Sequence, residues 1–320
     1  MALTIIEPQS ARAAEKSYAE RLGWGPNDRV VLFHCDDAGM SHASNLGAIE
    51  SLEKGVVTSV SIMMPCPWVP EIVQYVKTHP QVDAGLHLTM NSEWTLYRWG
   101  PVAGQAAVPG LCDPEGYLWH PVQETARHAT ADEVEREIRA QLDKAEAMGL
   151  RPTHIDTHMG ALVARPDFLD RYLKVGIEKQ ICVLAIGGHR SFARLENPQA
   201  MEQVQQKIAR VWDAGLPVID DLHTASYDWK DGPKSARFIQ MLQDLKPGIT
   251  MVIVHCSRPT ADFPLITSSS NARLEDLIAM IDPAVRKTIE DKGIFLTNWR
   301  ELKQRRDRVA KTAAAARPGN

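Results

Sequence analysis

The chain has 320 residues, 44% of them hydrophobic, and its 36 basic and 40 acidic side chains give a formal net charge of -4. This balance provides no basic field that would attract nucleic acid or an anionic membrane, so we expect neither as a partner. The five cysteines lack Cys-x-x-Cys spacing, which indicates reduced thiols. No segment approaches transmembrane length, and the N-terminal segment lacks the hydrophobic core of a signal peptide. These features predict a cytoplasmic protein.

Eight apolar or β-branched segments are predicted as strands, and helical patterns separate most of them. The first strand starts at Val30 and ends in Asp36 and Asp37, and the others cover residues 56–64, 82–90, 153–158, 181–186, 217–223, 249–256 and 294–298. The predicted helices cover residues 11–22, 41–54, 70–78, 130–149, 166–175, 198–214, 233–245, 272–281 and 283–293. Such alternation indicates a parallel sheet of the α/β class. Eight strands predict a (β/α) barrel, TIM-like but irregular at one or two strands.

Signals for helix ends are clearest at two helices. Ser41 is expected to cap the helix after the first strand, and Gly55 to end it in a left-handed conformation. Thr130 and Glu133 form a capping box for a later helix, which Gly149 ends.

No repeat or low-complexity linker divides the chain. We expect a leading segment over residues 1–28, a single catalytic β/α-barrel domain over residues 29–304, and a basic, alanine-rich tail over residues 305–320. Residues 91–129 show no clear period. So long a connection inside a compact domain is typical of a functional loop or lid.

Polar side chains with ligand or acid–base chemistry follow or end four of the predicted strands. They are Asp36 and Asp37 on the first strand, His87 on the third, His154, Asp156 and His158 on the fourth, and His255 on the seventh. The carboxyl ends of barrel strands carry catalytic groups, and alternation puts the three residues of the fourth strand on one face. An isolated Asp pair commonly caps a helix, and a lone buried histidine is commonly only hydrogen-bonded. Four strand ends that all carry such groups favour a functional site over these structural roles.

One carboxylate and two imidazoles leave positions open on a divalent ion, which suits a catalytic metal site. We expect one divalent ion, zinc first, with magnesium, cobalt, nickel and manganese as alternatives. The spare Asp of the pair is then free to act as a base. Asp156 and His154 are expected to orient metal ligands by hydrogen bonding.

Four motifs carry a resemblance to a known family: Asp-Asp-x-Gly after the first strand, GLHLT at residues 85–89, THIDTH at residues 153–158, and the C-terminal DPAVRKTIEDKGIFLTNWREL. From about residue 30 to residue 302 the chain resembles the YdjC-like carbohydrate deacetylases, the family of chitooligosaccharide deacetylases. The resemblance implies a polysaccharide deacetylase-like barrel in which Asp37, His87 and His158 bind the metal. It also implies that Asp36 is the general base and that His255 belongs to the late catalytic-histidine motif.

The sequence departs from the family pattern at three places. Ala38 replaces the usual phenylalanine after the Asp pair, residues 159–161 read Met-Gly-Ala in place of a histidine-rich continuation, and residues 255–257 read His-Cys-Ser in place of His-Pro-Gly. The metal residues survive these changes. The residues around the pocket do change, so we do not expect the substrate of the relatives to be the substrate of this chain.

The implied reaction removes an N-acetyl group from an amino sugar or oligosaccharide. Asp36 deprotonates a metal-activated water that attacks the carbonyl, and His255 protonates the leaving amine. In the long loop, Trp94 and Trp99 are candidates for stacking on sugar rings. Glu93 or Arg98 could bond hydroxyl groups, and simple lid packing is the alternative for all of the loop residues.

Two other functions remain open. The first is a metal-dependent amidase, esterase or phosphoesterase that acts on a non-sugar substrate. The second is a catalytically silent, metal-containing carbohydrate-binding protein, which the retention of Asp36 beside Asp37 disfavours. The sequence leaves the oligomeric state open, with a homodimer as one alternative.

Overall fold

The computed structural model describes residues 16–192, 198–229 and 233–315. The eight strands are β1 (Arg29–Ala38), β2 (Ser59–Ile62), β3 (Ala84–Leu88), β4 (His154–Thr157), β5 (Cys182–Val183), β6 (Asp221–His223), β7 (Gly248–Val254) and β8 (Phe295–Leu296). Within the described residues the α-helices are α1 (Tyr18–Arg21), α2 (His42–Lys54), α3 (Val69–Thr78), α4 (Val122–His128), α5 (Ala131–Ala147), α6 (Pro166–Lys179), α7 (Pro198–Asp213), α8 (Lys234–Gln243), α9 (Phe263–Ile266), α10 (Ser270–Ile281), α11 (Pro283–Asp291) and α12 (Trp299–Ala315). All eight predicted strands are therefore confirmed, most of them shorter than predicted.

The strands form one parallel sheet that curves into an irregular barrel. Its order is β5-β4-β3-β2-β1-β7-β6, and a parallel bridge between Ile186 and Ile219 joins the β5 side to the β6 side. β8 pairs with the base of β1, through Val30 with Phe295 and Val31 with Leu296. The predicted (β/α) barrel is confirmed, and within the described part of the chain seven strands go around it. The eighth does not separate β7 from β1, which pair directly.

The central strand explains why its sequence is apolar before its polar tip. β1 pairs with β7 from Arg29–Gly248 to Cys35–Val254, and β2 and β8 share its other edge. A strand with partners on both sides and helices over the sheet is buried on both faces, so it reads as a continuous apolar run. Residues 30–33 are buried accordingly. Burial of each such side chain stabilises the folded state by roughly 1.5–3 kcal/mol relative to leaving it in water.

The predicted helix ends are confirmed except at Gly55. The Ser41 side chain accepts a hydrogen bond from the Ser44 backbone N–H, and the capping box of Thr130 and Glu133 is complete. Gly55 is extended, with φ -101° and ψ -160°, so its predicted left-handed conformation is wrong. Glycine is needed there for close approach, because a Cβ would lie 2.5 Å from the Ser51 carbonyl oxygen and 2.6 Å from that of Met280.

The long connection after β3 is more regular than its sequence suggested. Residues 91–129 contain a 3₁₀ turn at Pro109–Leu111, an antiparallel bridge between Cys112 and Leu118, and the helix α4. The helix α4 was not among the predicted helices. Local aromatic packing and backbone hydrogen bonds hold this segment, and neither leaves a periodic signal in a sequence.

The two ends of the chain pack against the barrel where they are described. The backbone N–H groups of Tyr18 and Ala19, at the start of α1, donate to the Asp220 carboxylate at 2.8 and 3.1 Å. Residues 11–15 of the predicted first helix lie outside the described residues. The predicted tail begins inside α12, and residues 316–320 again lie outside. All five cysteines are free and buried. Among the described residues, none of the helices has the length and apolarity needed to cross a bilayer.

Candidate active site

The tip of β1 turns two adjacent acids to the same side. In a regular strand, Asp36 and Asp37 would point to opposite faces of the sheet. The register of β1 against β2 shifts between Cys35 and Ala38, and Asp37 has a positive φ of 64°. This bulge directs both carboxylates into the barrel, and bulges and positive-φ residues of this kind concentrate at functional sites. The alternative role of the pair as a helix cap is excluded, because the N-cap of α2 is Ser41.

Three side chains, from β1, from β3 and from the residue that follows β4, converge at this point and form what we call the triad: Asp37, His87 and His158. Asp37 Oδ1 lies 3.4 Å from His87 Nε2 and 3.5 Å from His158 Nδ1. All three side chains are buried, and their ligand atoms lie within 4.8 Å of one another. Asp37 Oδ1 has no hydrogen-bond partner among the described residues. A buried carboxylate oxygen in that state is suited to a cation.

The far nitrogen of each triad histidine is held by a carboxylate. His87 Nδ1 lies 2.6 Å from Asp156 Oδ1, and His158 Nε2 lies 3.0 Å from Glu93 Oε2. In a neutral imidazole, a proton on the far nitrogen leaves a lone pair on the nitrogen that faces Asp37. Burial lowers the pKa of His158, but Glu93 and Asp37 together raise it to about 10. The site therefore favours positive charge, and its donor set fits a divalent ion.

Two further groups satisfy the spacing of a metal site, and both are less suitable. They are His34 with His154 and Asp156, and Asp36 with His87 and Asp156. His34 Nε2 already lies 2.8 Å from Asp156 Oδ2, and Asp156 Oδ1 is taken by His87. Burial lowers the pKa of His154, which keeps that ring neutral behind the site. Asp156 contacts the triad residue His87, and His154 Nε2 lies 3.9 Å from Asp156 Oδ2, so the supporting role of the two residues stays a prediction.

Asp36 has one oxygen held and one oxygen free. Its Oδ1 accepts a hydrogen bond from Ser61 Oγ at 3.2 Å and lies 3.1 Å from His34 Nε2. Its Oδ2 lies 3.7 Å from His87 Nε2 and 4.0 Å from His255 Nε2. The free oxygen therefore faces the space between the triad and His255, which is where a base would be needed.

His34 contacts two of the site carboxylates and was not singled out in the sequence. Burial lowers its pKa, but Asp156 and Asp36 raise the pKa of His34 to about 10. The sequence could have indicated His34, because it precedes Asp36 by two residues on the same strand, and alternate residues of a strand share a face.

His255 lies across from Asp36, as its position at the end of β7 predicts. Its backbone N–H donates to Asp276 Oδ2 at 2.9 Å, and its ring meets the Tyr227 ring edge-on at 4.8 Å between centroids. Burial lowers the pKa of His255, and Asp37 only partly opposes this, so the imidazole is neutral at neutral pH. Its Nδ1 has no partner among the described residues.

Arg273, on α10, is the site residue that sequence reasoning could least have found. It is 3% exposed, and its Nη1 donates to Asp37 Oδ2 at 2.7 Å. Burial alone would raise the pKa of Asp37, but the Arg273 guanidinium, with His158 and His255, holds that pKa well below its ordinary value. One oxygen of Asp37 is thus fixed by Arg273, and the other faces the two histidines. The two residues are 236 positions apart, so no local motif links them.

These residues line one side of a cavity of about 520 Å³ at the carboxyl ends of the strands. We call this side the floor; its residues are Asp36, Asp37, His87, His158, His255 and Arg273. Much of the remaining lining is aliphatic, and we call this part the wall; its residues are Met159, Val163, Leu184, Ile186, Leu222 and Ile253. The cavity is large enough for part of a small-molecule substrate.

Of the four loop residues predicted to bind substrate, the structure brings one to the cavity. Glu93 lines it and holds His158. Arg98 is directed away, with Nη2 2.6 Å from Asp113 and 2.8 Å from the Leu118 carbonyl oxygen. Trp99 is 3% exposed and its indole N–H donates to the Asn91 carbonyl, so it has no free face for stacking. Trp94 packs edge-on against Trp99 at 5.6 Å between centroids and is not among the cavity-lining residues that the structure describes. Arg98, Trp94 and Trp99 thus lie outside the described lining of the cavity, and their role in substrate binding stays a prediction.

Known proteins resemble the chain over most of its length. The carbohydrate deacetylase of Thermus thermophilus is 29% identical over 287 residues, which cover 89% of this chain and 97% of that protein. The chitooligosaccharide deacetylase of Yersinia enterocolitica is 25% identical over 277 residues, which cover 85% and 98%. A crystal structure of an Enterococcus faecalis V583 protein with a proposed role in cellobiose-phosphate cleavage superimposes with a TM-score of 0.73 at 22% identity, covering 86% of this chain and 99% of that one.

At 22% identity, the structural likeness supports the barrel fold and says nothing about activity or substrate. The family assignment comes from a sequence model of YdjC-like proteins, which matches residues 30–291. This match contains β1 to β7, the triad, Asp36, His255 and Arg273. The chain therefore belongs to the YdjC-like protein family.

Proposed function

We propose that this chain is a metal-dependent hydrolase that removes an N-acetyl or related acyl group from an amino sugar or oligosaccharide. The observation that carries the proposal is a second acid beside the triad, since Asp36 Oδ2 lies 3.7 Å from His87 Nε2 without belonging to the triad. A purely structural metal site has no use for such an acid. Relatives named as carbohydrate and chitooligosaccharide deacetylases support the same class of bond.

The triad would hold one divalent ion. Two imidazoles and one carboxylate suit zinc, and cobalt, nickel, manganese and magnesium are the alternatives. When bound, such an ion supplies Lewis acidity, which polarises the acyl carbonyl and lowers the pKa of a water molecule. Asp156 and Glu93 keep the triad histidines in the ligating tautomer, and Arg273 keeps Asp37 ionised.

Asp36 is the base in this reaction. Ser61 and His34 hold its Oδ1, which leaves Oδ2 to accept a proton from a water molecule in the cavity. The hydroxide attacks the acyl carbon. Asp36 Oδ2 and His255 Nε2 lie 4.0 Å apart, so the proton held by Asp36 reaches His255 through a bridging water, and His255 donates it to the nitrogen as the carbon–nitrogen bond breaks. One water is consumed, and one carboxylic acid and one amine are released.

The test is the release of acetate and free amine in equal amounts from N-acetylglucosamine and chitooligosaccharides by the metal-loaded chain. The matched control is Asp36→Asn, loaded with the same metal, which keeps the shape of the side chain but cannot accept the proton. Acetate release no faster than in this variant would overturn the proposal.

The products also separate the two open alternatives. An amidase, esterase or phosphoesterase that acts on non-sugar substrates would release an amine, an alcohol or inorganic phosphate from those substrates and no acetate from N-acetyl sugars. A catalytically silent binding protein would bind chitooligosaccharides in calorimetry without acetate release, and Asp36→Asn would leave that binding unchanged.

A further inference from the structure

The wall of the cavity differs from what a sugar ring requires. Leu184 and Ile186 come from the segment that begins with β5, Leu222 comes from β6, and Ile253 comes from β7. All four are half-buried, with their remaining surface on the cavity. Side chains at such interior positions of a barrel normally fill it in layers. Here they border an open space next to a charged floor.

Polar groups are scarce on this side of the cavity. Besides the floor and Glu93, the described polar side chains that line it are the hydroxyls of Thr157, Thr224 and Tyr227. The Tyr227 hydroxyl already accepts from Arg273 at 3.4 Å. A sugar ring buried against aliphatic side chains would leave several hydroxyls without partners, which is costly. The wall suits an apolar group.

The aliphatic surface continues to the mouth of the cavity. Met159 and Val163, which follow the triad residue His158, are 55% and 56% exposed. An apolar group that leaves the cavity would thus meet these two side chains.

We propose that the wall binds an aliphatic group of the substrate, carried next to the scissile amide. This inference rests on the proposed N-acyl hydrolysis and specifies its substrate class. The group has two chemical sources, an acyl chain longer than acetyl or an alkyl aglycone on the amino sugar. In both cases the floor performs the chemistry, and the wall selects the substrate by burying its methylene groups.

Two substrate series distinguish these sources with the metal-loaded full chain. The first is N-acyl glucosamine with acyl groups lengthened stepwise from acetyl, and the second is alkyl N-acetylglucosaminide with the aglycone lengthened stepwise. Each methylene that enters the wall should raise kcat/KM by roughly three- to four-fold until the cavity is full. A rise in the first series assigns the group to the acyl chain, and a rise in the second assigns it to the aglycone.

Flat kcat/KM in both series, with acetate still released, would overturn this inference and leave the proposed hydrolase standing. If no substrate of either series is hydrolysed, the proposed function is overturned, and this inference falls with it. The two failures are therefore distinguishable.

Polar substitutions of the wall provide the second measurement. Leu184→Asn keeps the number of side-chain heavy atoms and Ile253→Thr removes one, and both make the wall more polar. Each should flatten the chain-length dependence, measured within each variant as the ratio of kcat/KM for the longer-chain substrates to kcat/KM for its own N-acetyl substrate. The matched control is Ile278→Thr on α10, where the side chain is 43% exposed and does not line the cavity. Folding of each variant is checked by its thermal unfolding midpoint. A chain-length slope that survives both wall substitutions in folded protein would assign the aliphatic group to another surface.

Discussion

The floor and the wall of the cavity are built by different kinds of interaction. On the floor, directional bonds fix each triad member: Asp37 to Arg273, His87 to Asp156 and His158 to Glu93. On the wall, aliphatic side chains contribute shape and apolar area alone. A bonded ion cluster tolerates few substitutions, whereas an aliphatic surface can be remodelled one side chain at a time. The departure at residues 159–161 begins at the wall residue Met159, whereas those at Ala38 and at residues 256–257 lie beside floor residues and leave the floor residues themselves unchanged.

The largest effect on the floor should follow the loss of a triad histidine. His87→Ala or His158→Ala leaves two ligands, which rarely retain a divalent ion, so metal binding and activity should both disappear. Elemental analysis after equilibrium dialysis measures this. The matched control is His223→Ala, which removes another buried histidine outside the triad and should keep one equivalent of metal. A full equivalent in either triad variant would mean that the ion is held elsewhere.

Asp36→Asn should separate catalysis from metal binding. The amide cannot accept the proton from water, and loss of a general base costs about 10²- to 10⁴-fold in rate. The companion substitution Asp37→Asn removes a ligand and should lose the metal as well. Steady-state kinetics and metal content on both variants make the comparison. Near-normal turnover in Asp36→Asn would place the base at another residue.

His255→Ala should affect amides more than esters. An amine is a poor leaving group that needs a proton, whereas an activated aryl alcohol leaves without one. We expect slowing on the order of 10²-fold for the amide and much less for an aryl acetate. Equal slowing of both substrates in folded, metal-loaded protein would indicate a role for His255 in packing against Tyr227.

Arg273→Gln should change the acid limit of metal binding. Burial raises the pKa of Asp37, and Arg273 lowers it by more, so removal of the guanidinium lets that pKa rise. The ionised carboxylate is the ligand, so the variant should lose metal at a higher pH than the native chain as the solution is acidified, by about one pH unit or more. At neutral pH both proteins should hold the ion.

Bound metal followed against pH checks this result, with Arg273→Lys as the control that keeps a positive charge. The lysine variant should fall between the native chain and Arg273→Gln. Identical acid limits for all three proteins would show that Arg273 positions Asp37 without affecting its ionisation.

Most of the floor could be predicted from the sequence because its groups lie at or near strand ends. The Asp pair follows an apolar run, whereas His87 lies inside its strand and His158 ends an alternating segment. Barrel geometry brings such strand ends together. The bulge that turns Asp37 inward leaves no mark in the residue letters, since aspartate is common in ordinary turns as well. Arg273 comes from a distant helix, and His34 lies inside the apolar run of β1. Neither residue is at a strand end, so the pattern of polar strand ends does not include them.

The loop after β3 shows the opposite case, in which the sequence suggested site residues that the structure places outside the described lining of the cavity. Its aromatic residues suggested sugar stacking, but a sequence cannot show whether an aromatic face is free or packed. Trp99 and Trp94 pack against each other, and Arg98 is paired with Asp113. The wall likewise escaped prediction, because its leucine and isoleucine residues read as ordinary strand core until the cavity beside them is seen.

The smallest effects on activity should come from these two tryptophans, which belong to neither the floor nor the wall. Trp99→Ala removes a buried indole and should cost about 3–5 kcal/mol of stability, seen as a lower midpoint in denaturant unfolding. Trp94 is half-buried, and Trp94→Ala should change stability less. Metal content and kcat should stay within about two-fold in both variants when they are assayed well below their unfolding transitions, because neither ring lines the cavity. A several-fold rise in KM for Trp94→Ala with unchanged kcat would instead extend the substrate site from the wall onto the loop, because the Arg273 guanidinium lies only 5.9 Å from the Trp94 ring.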